Sequence, residues 1–150
     1  MKKSHMEYLK LNKNLFLSII VAIIVSAIAA QILSEQEDYL NSSYTLLADL
    51  VVFYFTFGVL FYIDNRKKYL TESGETDSPR LKRDLLKIVT SVGSGEIVYI
   101  GMRWYLQYYL LTLNYEPYMA SVITQLISAV VYVSIVNLGA NLTKLYKDGT

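Results

Sequence analysis

The chain of 150 residues contains no cysteine and a single histidine. The absence of cysteine excludes disulfides, thiol nucleophiles and thiolate metal sites. It also means that cysteine usage does not indicate whether the protein lies in an oxidising or a reducing compartment. His5 stands alone in a charged N-terminal tail, and one imidazole does not make a zinc site. We therefore expect neither a metal nor a cofactor.

Signatures of catalysis and of nucleic-acid binding are also missing. The sequence has no nucleophile elbow, no Gly-rich phosphate loop and no metal-ligand spacing. The formal net charge is only +1, and the charges gather at segment ends instead of forming a basic stripe. The chain is not expected to be an enzyme or to bind nucleic acid.

What the chain has in abundance is apolar sequence, with 53% hydrophobic residues and a mean hydropathy of +0.31. Four apolar stretches, at about 15–33, 44–63, 85–113 and 118–138, reach the length that crosses a hydrocarbon core of about 30 Å. This pattern predicts one all-α membrane domain, 1–150, in which four transmembrane helices form two hairpins. A cleaved signal peptide is an alternative for the first stretch, because Ala27-Ile28-Ala29 is typical of a cleavage site.

The distribution of basic residues predicts the orientation of these helices. Lys and Arg occur in both tails and in the connection between the second and third stretches, but not in the segments 34–43 and 114–117. By the positive-inside rule both termini are cytoplasmic, in a multi-pass protein of the cell membrane. The acidic segment 34–43 is expected to be a loop, and its Asn41-Ser42-Ser43 is an acceptor pattern for N-glycosylation whose use the sequence leaves open.

Two of the stretches carry small residues at four-residue spacing, which places them on one face of a helix. The first set is in the first stretch and the second set in the fourth: Ser18, Ala22, Ser26 and Ala30, then Ala120, Thr124 and Ser128. Small side chains let helices approach closely, so both faces are predicted to pack against other helices.

The third stretch is unusually polar for a membrane helix. Glu96, Arg103 and Gln107 lie within roughly 20° of one line on a helix. A charged group in hydrocarbon costs at least a few kcal/mol, so this stripe is expected to face protein or water. Glu96 falls near the bilayer midplane, with Arg103 about two turns closer to the outside.

This stripe allows two interpretations. In the first, Arg103 pairs with Asp49 of the second helix, and the charged groups fix helix register. In the second, Asp49, Glu96, Arg103 and Gln107 line a polar cavity for an anionic or hydroxyl-rich substrate. Arg103 would then contact the anion, and Glu96 would accept a proton or a hydroxyl group. Glu96 has no evident cationic partner, so we expect it to be protonated, hydrated, or hydrogen-bonded to Tyr99, Thr124 or Gln125.

Three short segments resemble a known family. Residues 82–93 begin with basic residues and continue as an apolar stretch that ends in Val-Gly. At the end of the fourth stretch, Asn137 and Asn141 are four residues apart and are followed by Tyr146. Asn65-Arg66-Lys67, at the end of the second stretch, is similar to this Asn-containing ending. These features resemble the GtrA-like family of small four-helix membrane proteins, whose members are associated with moving polyprenyl-phosphate-linked sugars across a membrane. The chain departs from the family pattern at two positions, where the family prefers Phe and Arg: Leu138 and Leu142.

The resemblance implies a function and a second set of candidate residues. Asn65, Arg66, Asn137 and Asn141 would lie near a lipid phosphate at the cytoplasmic helix ends, although helix capping and anchoring explain such residues equally well. The expected function is assistance in translocating a lipid-linked sugar. The alternatives are an accessory subunit of a larger membrane complex and a small homo-oligomeric ion or solute pathway lined by Glu96. The expected partners are membrane lipids, a lipid-linked sugar, and further copies of the chain or other membrane subunits.

Overall fold

The fold comes from a computed structural model that describes residues 3–142, apart from the side chains of 3–5, 8, 87–92, 94 and 139–142. The described chain is helical, with no strand beyond an isolated bridge between Leu70 and Thr76. Its elements are α1 (Lys3–Ile32), α2 (Asp38–Asn65), a 3₁₀ turn (Arg66–Tyr69), α3 (Ser78–Thr112) and α4 (Pro117–Leu142). The all-α prediction is confirmed for this part of the chain.

Three of these helices are long and apolar enough to cross a membrane, among the residues described. The segments are Leu9–Ile32, Asp38–Tyr69 and Pro117–Leu138. The helix α3 carries the polar stripe of Glu96, Arg103 and Gln107, and it is not among the three. Membrane-spanning helices are thus supported by length and composition for α1, α2 and α4.

The second helix begins earlier than its apolar run, so the predicted loop at 34–43 is wrong from Asp38 onward. Asp38 lies in the first turn of α2, where its negative charge interacts favourably with the helix dipole and stabilises the helix start. The hydroxyls of Ser42 and Ser43 donate to the carbonyls of Asp38 and Tyr39, at 2.8 and 2.7 Å. These side chains satisfy backbone groups inside the helix, so the polar composition does not end it.

The first and third helices also extend beyond their predicted bounds, because capping rather than hydropathy decides where a helix starts. The helix α1 runs from Lys3, through a segment that we expected to be a basic tail. The helix α3 begins at Ser78, seven residues before Leu85. There the Asp77 side chain accepts a hydrogen bond from the Arg80 amide at 3.1 Å, and Pro79 sits in the first turn.

The helices form an antiparallel bundle in which each packs against two neighbours, in the order α1, α2, α3, α4 and back to α1. The short turns 33–37 and 113–116 lie at one end of the bundle, which we call the hairpin end. The start of α1, the connection between α2 and α3, and the end of α4 lie at the opposite end, the terminal end. Pro117 is the first residue of α4, as expected for a proline at a helix start.

Both predicted small-residue faces are packed inside the bundle. All seven of their side chains have no exposed surface: Ser18, Ala22, Ser26, Ala30, Ala120, Thr124 and Ser128. Small side chains on α1 and α4 allow these two helices to lie side by side. The packing interpretation of both faces is therefore confirmed.

The interior divides into an apolar half and a polar half. Phe53, Phe57, Phe61 and Tyr69 form a row of rings whose successive centroids lie 6.2, 6.1 and 6.3 Å apart, on the terminal side. The hairpin side contains a cluster of buried polar side chains that come from all four helices: Ser26, Asn41, Thr45, Asp49, Arg103, Gln107, Ser121, Thr124 and Gln125. This polar half positions the candidate site.

Candidate functional site

Arg103 is the centre of the polar half, with none of its side chain exposed. Its Nη1 donates to Thr124 Oγ1 at 2.7 Å and to Gln107 Oε1, and its Nη2 donates to Ser121 Oγ at 2.9 Å. Its Nε lies 3.8 Å from Asp49 Oδ2, within ion-pair distance. The predicted pairing of Arg103 with Asp49 is confirmed, and the hydroxyl partners from α4 are an addition that the sequence analysis did not foresee.

Asp49 is also surrounded by donors from other helices. Tyr99 donates its hydroxyl to Asp49 Oδ2, and Gln125 donates its amide to Asp49 Oδ1. Gln125 Oε1 in turn accepts a hydrogen bond from Ser26 Oγ on α1. These donors and the facing guanidinium offset part of the cost of burying the Asp49 carboxylate.

Asn41 connects these buried side chains to the hairpin end of the bundle. Its side-chain amide donates to the carbonyls of Ala30 and Leu33, both at 2.9 Å, and its Oδ1 accepts from Gln107 Nε2 at 3.1 Å. Asn41 is only 2% exposed in the folded bundle. The sequence pattern around Asn41 therefore has a structural explanation, as a cap on the end of α1.

Together these side chains form one connected set that links all four helices, which we call the central polar network. Its members are Ser26, Asn41, Asp49, Tyr99, Arg103, Gln107, Ser121, Thr124 and Gln125. Nearly every polar atom in it has a partner, the exception being Arg103 Nε, which faces Asp49 without a hydrogen bond. Because a buried polar group without a partner costs about 1 to 3 kcal/mol, the network favours one register of the helices.

Glu96 lies outside this network, at the boundary between the polar and apolar halves. It borders a small pocket to which all four helices contribute: Ile19, Leu50, Phe53, Glu96, Tyr99, Gln125 and Tyr132. The side chains of Tyr54 and Tyr132 lie near enough to the Glu96 carboxylate to interact with it electrostatically. No Lys or Arg side chain among those described forms a salt bridge with Glu96. The Glu96 carboxyl group is thus surrounded mainly by aromatic side chains.

The partners that the sequence suggested for Glu96 are engaged elsewhere. Tyr99 and Gln125 donate to Asp49, and Thr124 donates to the Ala120 carbonyl at 2.8 Å while it accepts from Arg103. Neither Tyr54 nor Tyr132 was predicted from the sequence as a neighbour of Glu96. Tyr132 continues the four-residue spacing of Ala120, Thr124 and Ser128, which would have placed it on the inner face of α4. Nothing in the sequence singles out Tyr54.

The pocket is small but is not sealed. The volume in which the centre of a water molecule can be placed is about 10 Å³, which is enough for roughly one buried water. Glu96 and Tyr54 are both partly exposed. The four residues predicted to line one cavity are therefore divided: Asp49, Arg103 and Gln107 are buried in the central polar network, and Glu96 alone borders the pocket.

The candidate phosphate-contacting residues lie at the terminal end. Asn65 donates to the Phe61 carbonyl at 2.9 Å, and Asn137 donates to the Val133 carbonyl at 2.8 Å, so each bonds to the residue four positions earlier. Arg66 is exposed in the 3₁₀ turn. The side chain of Asn141 lies outside the described residues. The two asparagines thus play the same local role in the two hairpins.

Among the described side chains, no three His, Cys, Asp or Glu residues come together as metal ligands would. The His5 side chain falls outside the described set. Comparison of the chain with protein-family models, with curated proteins and with solved structures gave no match.

Proposed function

We propose that this protein is a four-span protein of the cell membrane, with both termini cytoplasmic, that assists the movement of a lipid-linked polar solute across the bilayer. A polyprenyl-phosphate-linked sugar is the solute that the GtrA-like resemblance favours. The single observation that carries the proposal is the Glu96 pocket, in which a carboxylate borders a small space lined by Phe53, Tyr99 and Tyr132 inside the bundle. The lining has the composition of a ligand site, an apolar surface with a few polar groups, on the scale of a single water molecule or hydroxyl group.

The contacts of α3 support its role as the fourth span. Its 35 residues correspond to about 50 Å of helix, which exceeds the thickness of a bilayer core. Tyr99 contacts Asp49 and Gln107 contacts Asn41, so α3 runs antiparallel to α2 along a helix that is itself a candidate span. The side chain of Arg103 is fully buried inside the bundle, so its charge contacts protein groups and avoids the cost of exposure to hydrocarbon.

In this proposal Glu96, rather than Arg103, meets the solute. The guanidinium of Arg103 is enclosed and its Nη groups donate to protein oxygens, so it has no free side for an anion. The space beside the Glu96 carboxylate holds about one water molecule, so in this proposal the carboxylate accepts a hydrogen bond from a single hydroxyl group of the solute. Arg66, exposed at the terminal end, is suited to the lipid phosphate.

The test is complementation of a deletion strain, with surface glycans and glycolipids analysed by mass spectrometry. Deletion is expected to change these profiles, and the wild-type gene is expected to restore them. Glu96→Gln should fail to restore them, whereas the matched control Glu116→Gln, at an exposed position in the 113–116 turn, should succeed. Unchanged glycan and glycolipid profiles in the deletion strain would contradict the proposal.

A second candidate function is that of an accessory subunit in a larger membrane complex, and the surface of α3 favours it. Two pairs of stacked rings, Trp104 with Tyr108 and Tyr105 with Tyr109, have centroids 5.5 and 6.4 Å apart. Tyr105 is 60% exposed and Tyr109 50% exposed, so this face is open to another protein. Purification in mild detergent decides the question: a stable partner supports this function, and a clean isolated homomer opposes it.

A further inference from the structure

The terminal end of the bundle gathers basic side chains from three segments of the chain. Apart from the fully buried Arg103, every Lys or Arg whose side chain the structure describes lies at this end and is exposed: Lys10, Lys13, Arg66, Lys67, Lys68, Arg80, Lys82 and Arg83. The two turns at the hairpin end contain Glu35, Glu37 and Glu116 and no Lys or Arg. The described basic side chains, Arg103 excepted, are therefore confined to one end of the bundle.

Contacts between the elements hold the three basic segments side by side. Lys13 Nζ lies 2.6 Å from Asp64 Oδ2, which joins α1 to the end of α2. The Tyr69 hydroxyl donates to Asp84 at 2.8 Å, and Lys68 Nζ lies 3.7 Å from the same carboxylate. These two contacts join the 3₁₀ turn to the start of α3. The basic residues next to them are thus brought together by the tertiary structure.

Most of these cations have no acidic partner. Lys13 and Lys68 form salt bridges, whereas the other six form none with any described side chain: Lys10, Arg66, Lys67, Arg80, Lys82 and Arg83. We call these six residues the basic patch. The exposed carboxylates of Glu72 and Glu75 lie further along, in the loop that connects the 3₁₀ turn to α3. Because like charges held close together repel one another, an anionic partner is favoured at this surface.

The basic patch lies where two candidate membrane spans end. The span Leu9–Ile32 has Lys10 in its first turn, and the span Asp38–Tyr69 ends with the 3₁₀ turn. Leu9 and Leu70 are 49% and 44% exposed, beside the exposed cations of the same segments. Apolar side chains next to cations suit the boundary at which acyl chains meet headgroups. This position within the span ends favours lipid headgroups over a soluble acidic protein as the partner.

We propose that the basic patch binds the headgroups of anionic phospholipids in the membrane leaflet that the terminal end faces. Guanidinium and ammonium groups donate charge-assisted hydrogen bonds to phosphate oxygens. A phosphocholine headgroup carries a cation of its own and has no net charge, whereas a phosphatidylglycerol headgroup has a net negative charge that the patch attracts. The inference concerns the lipids of the leaflet and not a solute at Glu96, so its failure and the failure of the proposed function are separate results.

The experiment is electron paramagnetic resonance of spin-labelled lipids around the full-length protein, reconstituted in phosphatidylcholine vesicles. The fraction of label immobilised by the protein is compared for trace amounts of spin-labelled phosphatidylglycerol and phosphatidylcholine. At low salt the protein is expected to prefer phosphatidylglycerol at least about twofold, and the preference should decrease as salt screens the charges. Equal immobilisation of the two lipids at low salt overturns the proposal.

Paired variants assign the preference to the basic patch. Lys67→Gln combined with Arg80→Gln removes two exposed charges and is expected to reduce the preference for phosphatidylglycerol. The matched control, Lys67→Arg combined with Arg80→Lys, keeps both charges at the same positions and should retain the preference. Lys82→Gln combined with Arg83→Gln is a second test pair if the first does not fold. A preference that is unchanged when both test pairs are neutralised contradicts the assignment of the site.

Discussion

At the scale of single residues, the charges of Arg103 and Asp49 depend on each other. Removing one partner of a buried ion pair leaves the other uncompensated, at a cost of about 3 to 5 kcal/mol, whereas removing both is much less harmful. The pairing was predictable from sequence because both residues fall in the same half of neighbouring helices. The contributions of Ser121 and Thr124 were not, because their spacing indicates only a small-residue face.

We expect Arg103→Met and Asp49→Asn each to lower the thermal stability of the protein in detergent markedly. The double variant is expected to recover much of the loss, since neither charge is then left alone in the interior. The measurement is a double-mutant cycle of melting temperatures. Arg66→Met, at an exposed position, serves as the control and should change stability by less than about 0.5 kcal/mol. Additive losses in the double variant would contradict the pairing.

At the scale of elements, the contact between α3 and α4 depends on a glycine. A Cβ atom on Gly95 would lie 3.0 Å from Ile135 Cγ2 and 3.7 Å from a ring carbon of Tyr132. Apart from the adjoining residues and backbone of α3 itself, no atom lies within 4 Å of a Cβ on Gly101, which is on the exposed side of the same helix. The close approach of α4 to α3 near the Glu96 pocket therefore requires the absence of a side chain at Gly95.

Gly95→Leu is expected to push α4 away from α3 and to destabilise the bundle by about 1 to 3 kcal/mol, the usual range for overpacking. Gly101→Leu places the same side chain on the outer face and should be neutral or slightly stabilising, because leucine favours a helix more than glycine does. Melting temperatures in detergent measure both. Equal losses of stability at the two positions would show that the glycines act through backbone conformation and not through the contact between α3 and α4.

The start of α3 is likewise set by one side chain. Asp77 accepts a hydrogen bond from the Arg80 amide at 3.1 Å, and loss of such a cap costs about 1 kcal/mol. In Asp77→Ala, hydrogen exchange in the first turn of α3 should become faster, while the exposed control Glu72→Ala should leave these amides unaffected. Unchanged exchange in Asp77→Ala would mean that contacts other than the cap define this helix end.

At the scale of the whole molecule, the proposed four-span topology makes a prediction about the turns. The absence of cysteine allows single reporters to be introduced at exposed positions by Gln36→Cys, Ser73→Cys and Glu116→Cys. In intact cells a membrane-impermeant maleimide should label the first and the third, and it should label Ser73→Cys only after permeabilisation. If Glu116→Cys behaves like Ser73→Cys instead, α3 does not cross the membrane.

The amino-acid sequence by itself determined the helical membrane class, the approximate position of each helix, the packed small-residue faces and the pairing of Arg103 with Asp49. These properties follow from hydropathy, spacing and charge along one chain. Only the tertiary structure decided that Asn41 caps α1, that α2 starts at Asp38, and that Glu96 is separated from the central polar network. The physical reason is that hydrogen-bond partners such as Asn41 and Gln107 come from different helices. Their meeting depends on helix rotation and register, which the spacing within a single helix does not contain.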